Sequence, residues 1–408
     1  MSREEMKWIT DTIDKFAELT YEGGGISRPA FSKLEAGARN YVADLMRQAG
    51  LQVSGDEIGN IIGRLAGREA EAPVVIIGAH LDTVPAGSKY DGVAGIVSGL
   101  SAINRLRARP QLTHPIELVV FAGEEASRFG FATIGSKVMT GRINIPGWKK
   151  AKDPAGIGLP AALADIGLNF KDIPKAVRNK KDIKAFLELD IEPGSMLAAG
   201  NFMAGIVDNI AAPTRFKITV EGVASQIGAT PMEERRDALV TAAQIILAIQ
   251  EVVLEHSYRG TVGTVGNVMV YPGGFNVIPD RVEMGVDIRG PEYESIVQCI
   301  QDIKDAIIGI VDEQQTVANI EMLSSEKPVY MDRKIINLLA DVCERKNINY
   351  GYLSSSSSHD AMNFARLVPA GLIFLPGGKS DNESRTVNMD HIRAGIEVLT
   401  EALYELAK

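Results

Sequence analysis

Apolar positions follow two different rhythms along this chain. Residues 32–49 carry helical spacing that stops at Gly50, and short continuous apolar runs follow at 59–65, 73–79 and 116–122. A helical stretch at 93–107 separates the last two runs. Continuous runs with a helix between them are the sequence form of βαβ units, because a strand buried on both faces has no polar side. Near the end, 333–346 and 390–406 read as helices and 371–376 (GLIFLP) as a buried strand. The pattern predicts a sheet covered by helices on both faces.

The middle of the chain changes rhythm. Residues 215–222 (RFKITVEG) alternate as a strand, 235–255 form a long helical run, 261–271 and 281–288 read as strands, 292–312 as a helix and 316–322 as a last strand. The order βαββαβ is the split-βαβ arrangement of a small two-layer domain. An inserted domain is therefore expected at 211–326, with the main domain assembled from 1–210 and 327–408. Residues 141–185 hold Pro, Gly and eight lysines and read as a solvated excursion with short helices.

Composition narrows the class. The 408 residues carry a net charge of −9, which is the wrong sign for a nucleic-acid binder. No apolar run reads as membrane-spanning, and the N-terminus is charged and amphipathic without the apolar core of a signal peptide. Cys299 and Cys343 lie far apart and read as reduced core thiols. A cytoplasmic enzyme with a small-molecule substrate, and neither nucleic acid nor membrane as partner, is the expectation.

Two motifs carry chemistry. GAHLDTV at 78–84 ends a buried run at His80, with Asp82 two residues on, and YDGVAG at 90–95 places Asp91 ahead of a helix. An imidazole with carboxylates at a strand end is a metal-ligand set, and Asp82 is spaced to orient the His80 ring. FAGEEASRF at 121–129 puts Glu124 and Glu125 directly after an apolar strand, where their burial requires a cation. One carboxylate can then bind metal while its neighbour accepts a proton from water.

With LELDIEPG (187–194), GATPMEERRDAL (228–239), FNVIP (275–279), DIRG (287–290) and SHDA (358–361), these motifs resemble the carbamoylase and allantoate amidohydrolase branch of the aminoacylase and carboxypeptidase-G metallohydrolase superfamily. The resemblance implies a metallopeptidase-type three-layer αβα catalytic domain with an inserted βαββαβ lid, through which a homodimer forms. It implies that His80, Asp91 and Glu125 bind one or two divalent metals with Asp91 bridging, that Glu124 is the general base, and that Asn276 and Arg289 grip a substrate carboxylate. The implied reaction is hydrolysis of a non-peptide C–N bond of amide, carbamoyl or ureido type, by Glu-assisted attack of metal-bound water.

The sequence departs from its relatives at three histidines. Asp190 stands at a metal-binding His position and Pro193 at a nearby Gln; Gln226 replaces a lid His that serves the partner subunit; the C-terminal metal His aligns with Asp381, or Glu383 takes its role. Added carboxylates favour manganese, with zinc the other candidate. His359 has two readings, one beside the site and one capping the following helix. Two other functions stay open: hydrolytic deamination of an activated, for instance aromatic, amino-carboxylate, and a catalytically degenerate binding protein on the same fold.

Overall fold

The computed structural model describes all residues except Gln111, Ala212 and 380–384, so Asp381 and Glu383 lie outside the described residues. The chain divides into two compact units, Met1–Asp208 with Tyr330–Lys408, and Asn209–Val329.

The first unit is built on a mixed sheet. Its central strands run in the order Ile61–Leu65, Ile116–Phe121, Val74–His80, Ile183–Ile191 and Ala370–Leu375. The last four of these are parallel, and Ile61–Leu65 pairs antiparallel with Ile116–Phe121. Register assigns the faces. Ile77, Leu118 and Leu187 lie level, as do Leu189 and Ile373, and this side receives helices Val93–Arg107 and Met389–Ala407. Small residues make that contact close: a Cβ on Gly95 would stand 2.6 Å from the Leu189 carbonyl oxygen, and one on Gly395 2.6 Å from Leu375. The opposite side carries Phe186, Glu188 and Asp190 from one strand and Phe121, level with His80, from another. There Phe364 stacks on Phe186 with centroids 4.1 Å apart and tilts against Phe121 at 5.7 Å.

Two segments of this unit need description, and for the second an expectation changes. The N-terminal segment is itself a helix, Arg3–Glu18, capped by the Ser2 side chain and buried through Ile9, Ile13 and Phe16. The lysine-rich stretch 141–185 is more than a solvated excursion, since Trp148, Leu159, Leu163 and Ile173 form a buried cluster with Phe31 and Phe129. The lysines sit outside it because a long amphipathic stem can reach water from a folded surface.

The second unit has a four-stranded antiparallel sheet in the order Val317–Ser325, Thr214–Glu221, Arg281–Arg289, Val262–Tyr271. Helices Ala238–His256 and Tyr293–Glu313 bury Ile245, Ile249, Ile296 and Ile303 against Phe216, Ile218, Val282 and Met284. By length and composition alone, the segment Ala238–Arg259 is apolar enough to cross a membrane, which the sequence reading overlooked because Gln244, Gln250 and Glu251 interrupt it. Its inner face is part of this core, while Leu247 and Leu254 are exposed. Cys299 and Cys343, one in each unit, are buried and unpaired.

Candidate active site

The candidate residues of the first unit converge at the carboxyl ends of its parallel strands, where an α/β sheet presents its loops to a ligand. His80 closes strand Val74–His80 and is buried. Gly92, which begins the next helix with φ of 65°, lets the chain fold over that ring; a Cβ there would stand 2.8 Å from Nδ1 and 2.4 Å from the His80 carbonyl oxygen. His80 Nδ1 lies 2.9 Å from the backbone oxygen of Asp82. An imidazole nitrogen facing a carbonyl must donate, so Nδ1 carries a proton whether the ring is neutral or charged, and Nε2 is the nitrogen left for a ligand.

Asp82 is therefore a positioning residue in a different way from the one its spacing suggests. Its main chain orients the ring, and its carboxylate is 3.9 Å from Nδ1. The carboxylate instead accepts the backbone N–H groups of Glu124 at 3.1 Å and Glu125 at 2.9 Å. The turn carrying both glutamates is thus tied to the strand end that carries His80.

One ligating atom from each of His80, Asp91 and Asp190 falls within a 4.8 Å span. Asp190 comes from strand Ile183–Ile191 and accepts the Ile191 N–H at 2.7 Å. His359 is buried with Nδ1 3.1 Å from Asp190 Oδ2. The capping alternative for this segment fails, because Asp360 precedes helix Ala361–Phe364 without a side-chain cap.

Two acids escaped the sequence reading. Glu188 is buried and accepts the Ala361 N–H at 2.6 Å. Asp360 is buried, takes a hydrogen bond from the Ser136 hydroxyl and leaves Oδ2 without a partner. Spacing could have found Glu188, which precedes Asp190 by two residues and so shares its strand face. Asp360 had only its place in SHDA to mark it.

The electrostatics follow from burial. Desolvation pushes the His80 ring down, but Glu124, Asp190, Asp91 and Asp82 outweigh it and hold the imidazolium well above its usual range. Burial, opposed by His80, lifts Glu124 well above the carboxylate range. Burial likewise takes Glu125 and Asp360 up to about 7. Asp190 also feels burial, yet His359 and His80 hold it low. Buried carboxyls around two imidazoles are costly unless a cation joins them. A cation that displaces the His80 Nε2 proton makes that nitrogen a ligand, and the donor set fits a divalent ion; His80, Asp91 and Asp190 would hold it, with Glu125 beside them.

The second unit holds the remaining candidates. Gln226 and Asn276 meet on a small ribbon, in which Gln226 pairs with Val277 and the Ile227 N–H donates to the Asn276 oxygen at 3.2 Å. Arg289 is elsewhere. It ends strand Arg281–Arg289, whose first residue is level with Glu221 just before the ribbon. Eight strand steps of about 3.3 Å separate those ends by about 26 Å, so Asn276 and Arg289 of one chain do not grip one small carboxylate together. The Arg289 guanidinium is turned to Asp287, with Nε 2.9 Å from Oδ1 and Nη2 3.0 Å from Oδ2.

A buried His–Asp–Glu centre at the end of such a sheet defines a metal-dependent hydrolase class, and sequence comparison agrees. The profile of peptidase family M20/M25/M40 matches residues 76–405, and this chain belongs to that family. It is 37% identical over 389 residues to the N-carbamoyl-L-amino acid amidohydrolase of Geobacillus stearothermophilus, covering 94% of each chain. It is 32% identical over 391 residues to the allantoate amidohydrolase of Escherichia coli, covering 94% of this chain and 93% of that one. The crystal structure of a hydantoinase/carbamoylase family amidase from Burkholderia multivorans superposes with a TM-score of 0.85 at 29% identity, covering 98% of both chains. Within the family the chain falls in the amidohydrolase branch, and it is an enzyme.

Proposed function

We propose that this chain hydrolyses the carbamoyl or ureido C–N bond of a small carboxylate-bearing substrate, with Glu124 as general base. The observation that carries this reading is the buried Glu124, fixed through its backbone N–H by Asp82 beside His80. Its raised affinity for protons suits a group that must take one and give it back. Glu124 takes a proton from the attacking water and returns it to the leaving nitrogen. A divalent ion, when bound, supplies Lewis-acid polarisation of the substrate carbonyl and a lower pKa for water. The oxygen-rich donor set at Asp91, Asp190 and Glu125 favours manganese over zinc.

Gln226, Asn276 and Arg289 are assigned to substrate recognition in a homodimer formed through the inserted unit. Their separation along one sheet supports this reading, because a single site using all three must draw on two chains. Exposed apolar residues favour a dimer contact through Leu247 and Leu254 of helix Ala238–His256 and Val268 and Met269 of the edge strand. The sequence pointed to the edge strand and to helix 292–312 without deciding between them; in that helix Val297 and Ile308 are the large apolar residues left exposed.

The test is ammonia release from a panel of N-carbamoyl amino acids, ureido acids, N-acyl amino acids, dipeptides and aromatic amino-carboxylates after manganese loading. Turnover confined to the carbamoyl and ureido compounds is expected. Turnover of acyl amino acids or dipeptides alone would overturn the assignment.

A further inference from the structure

Strand Val74–His80 loses its neighbours just where the centre begins. Its last paired residue is His80, level with Phe121, and residues 81–84 run on outside any strand. Those residues nevertheless hold the site together. The Asp82 oxygen accepts from His80 Nδ1, and the Asp82 carboxylate accepts the Glu124 and Glu125 N–H groups. A segment off the sheet needs another restraint to keep such groups in place, because untied loops open easily and buried main-chain groups need partners.

The restraint is the segment 26–28. Ile26 and Gly87 form an antiparallel bridge with hydrogen bonds of 2.9 and 2.8 Å. The Thr83 N–H donates to the Arg28 oxygen at 3.0 Å, and the Arg28 N–H donates to Thr83 Oγ1 at 3.0 Å. The Thr83 hydroxyl proton goes to the Ile26 oxygen at 3.1 Å. The Arg28 side chain then adds a tie of its own. Its Nε donates at 2.7 Å to the carbonyl oxygen of Leu81, in the peptide that joins Leu81 to Asp82. Its Nη1 donates to the Phe16 and Leu19 oxygens at 2.9 and 2.8 Å, at the carboxyl end of helix Arg3–Glu18.

Carbonyls at a helix end lack partners within the helix, and a cation suits them. Closing that end is too small a task to explain this arginine, which is only 1% exposed. Its side-chain hydrogen bonds go to main-chain oxygens; burial works against its charge, and Glu35 and Asp82 favour the charge from further away. A cation buried without a hydrogen-bonded carboxylate is costly, whereas helix ends are commonly closed by water or a glycine turn. What the guanidinium adds is a rigid fork that holds two elements in one fixed relation.

We propose that Arg28 is a positioning residue for the catalytic centre. It ties the peptide after Leu81 to the end of the N-terminal helix, and so fixes the Asp82 main chain against His80 and the Glu124–Glu125 turn. The proposal rests on the metal-hydrolase reading above, and it gives that reading a contributor ahead of residue 76, where the family match begins.

Two variants separate this role from simple anchoring of the helix. Arg28→Lys keeps the charge and loses the fork. Ile13→Ala weakens the same helix from its buried face without touching Leu81. Each is compared with wild type, well below its melting temperature, by kcat and KM with Mn(II). A second readout needs neither metal nor turnover: the His80 Nδ1–H signal in metal-free, histidine-¹⁵N-labelled protein. Arg28→Lys should lower kcat by about 10–100-fold, the cost of misplacing reacting groups by about 1 Å. Its KM should stay near wild type, because the proposed substrate-binding residues lie in the other unit, and its His80 Nδ1–H should exchange rapidly with water. Ile13→Ala should melt earlier yet keep the wild-type kcat and His80 signal. Equal losses in the two variants would reduce Arg28 to a helix anchor and overturn the proposal, as would wild-type kcat and His80 signal in Arg28→Lys. If Arg28→Lys fails to fold, Thr83→Val replaces it, since it removes the hydroxyl that joins the same two segments. A lower kcat with faster His80 exchange then supports the proposal, and wild-type behaviour overturns it. A wild type inactive on every compound of the panel would remove the metal-hydrolase reading, while the His80 signal still decides whether Arg28 positions the turn.

Discussion

The two sheets of this chain handle charge in opposite ways. In the first unit, strands Val74–His80 and Ile116–Phe121 are buried at every position. In the second, Thr214–Glu221 alternates between buried and half-exposed residues, with Phe216, Ile218 and Val220 inside and Arg215, Lys217 and Glu221 outside. Its outer face pairs Arg215 with Asp287 at 2.9 Å and Lys217 with Glu321 at 3.4 Å. Such solvated pairs are worth about 1 kcal/mol or less and constrain little. The central strands of the first sheet have no wet face on which to place an acid, so an acid buried there needs a strong partner. Glu117 has two, Arg64 at 2.8 Å and Arg178. Among the described residues, Glu124, Glu125, Asp190 and Asp360 make no ion pair with a lysine or arginine, and this lack of permanent positive charge is what marks them as a cation site.

The largest effect that sharpens this contrast is expected at Glu124. Glu124→Gln keeps the shape and removes the proton acceptor, so kcat should fall by about 10²–10⁴-fold. Bound metal and melting temperature should stay near wild type. Equal loss of metal and activity would mean that Glu124 is a ligand and the base lies elsewhere.

A matched pair of glycine substitutions compares the packing of the two sheets. Gly78 lies level with Glu188 in the first, and a Cβ there would stand 2.3 Å from Phe186 and 3.1 Å from Phe121. Gly78→Ala should cost about 1–3 kcal/mol by overpacking the aromatic floor of the site. Gly266 in the edge strand of the second sheet has nothing within 4 Å of its Cβ position, so Gly266→Ala should stay within about 0.5 kcal/mol. Denaturant unfolding of both variants is the check; equal costs would mean that the first core is looser than its geometry indicates.

A charge substitution tests whether the surface of the first unit behaves like the open face of the second. Glu401 accepts from Arg109 at 2.7 and 2.9 Å and lies 2.7 Å from Lys346; the Arg109 hydrogen bonds chiefly, against some burial, hold its carboxyl down at about 2. A depressed carboxylate contributes stability that is present above its unfolded pKa near 4.3 and is lost as pH falls through about 2. Glu401→Gln should therefore cost about 1 kcal/mol at pH 7, after allowance for solvent screening, and converge on wild type below pH 2. A cost independent of pH would point to packing in place of charge.

These contrasts also explain what could be read from the sequence. The alternation in 215–222 and 281–288 shows directly which side chains face the core, and the βαββαβ order is the one observed. Continuous apolar runs such as 73–79 announce buried strands but conceal which face each residue takes. That is why the sides of the first sheet had to come from register, although the two-residue spacing from Asp190 was enough to mark Glu188. His80, Asp82, Asp91, Glu124 and Glu125 were legible because strand ends and the turns after them are short-range features. The approach of His359 to Asp190 joins residues 169 positions apart in the chain, and local spacing cannot report it. The N-terminal segment reads as charged and amphipathic, and the helix it forms buries Ile9, Ile13 and Phe16 on one stripe.

The central claim is that the buried acids around His80 exist to hold a divalent ion that the hydrolysis needs. The most direct measurement is hydrolysis of an N-carbamoyl-L-amino acid by one preparation before chelation, after chelation to below about a tenth of an ion per chain, and after manganese is returned. Activity should vanish with the metal and come back with it, while the fold persists throughout. Undiminished hydrolysis by the stripped protein would contradict the claim.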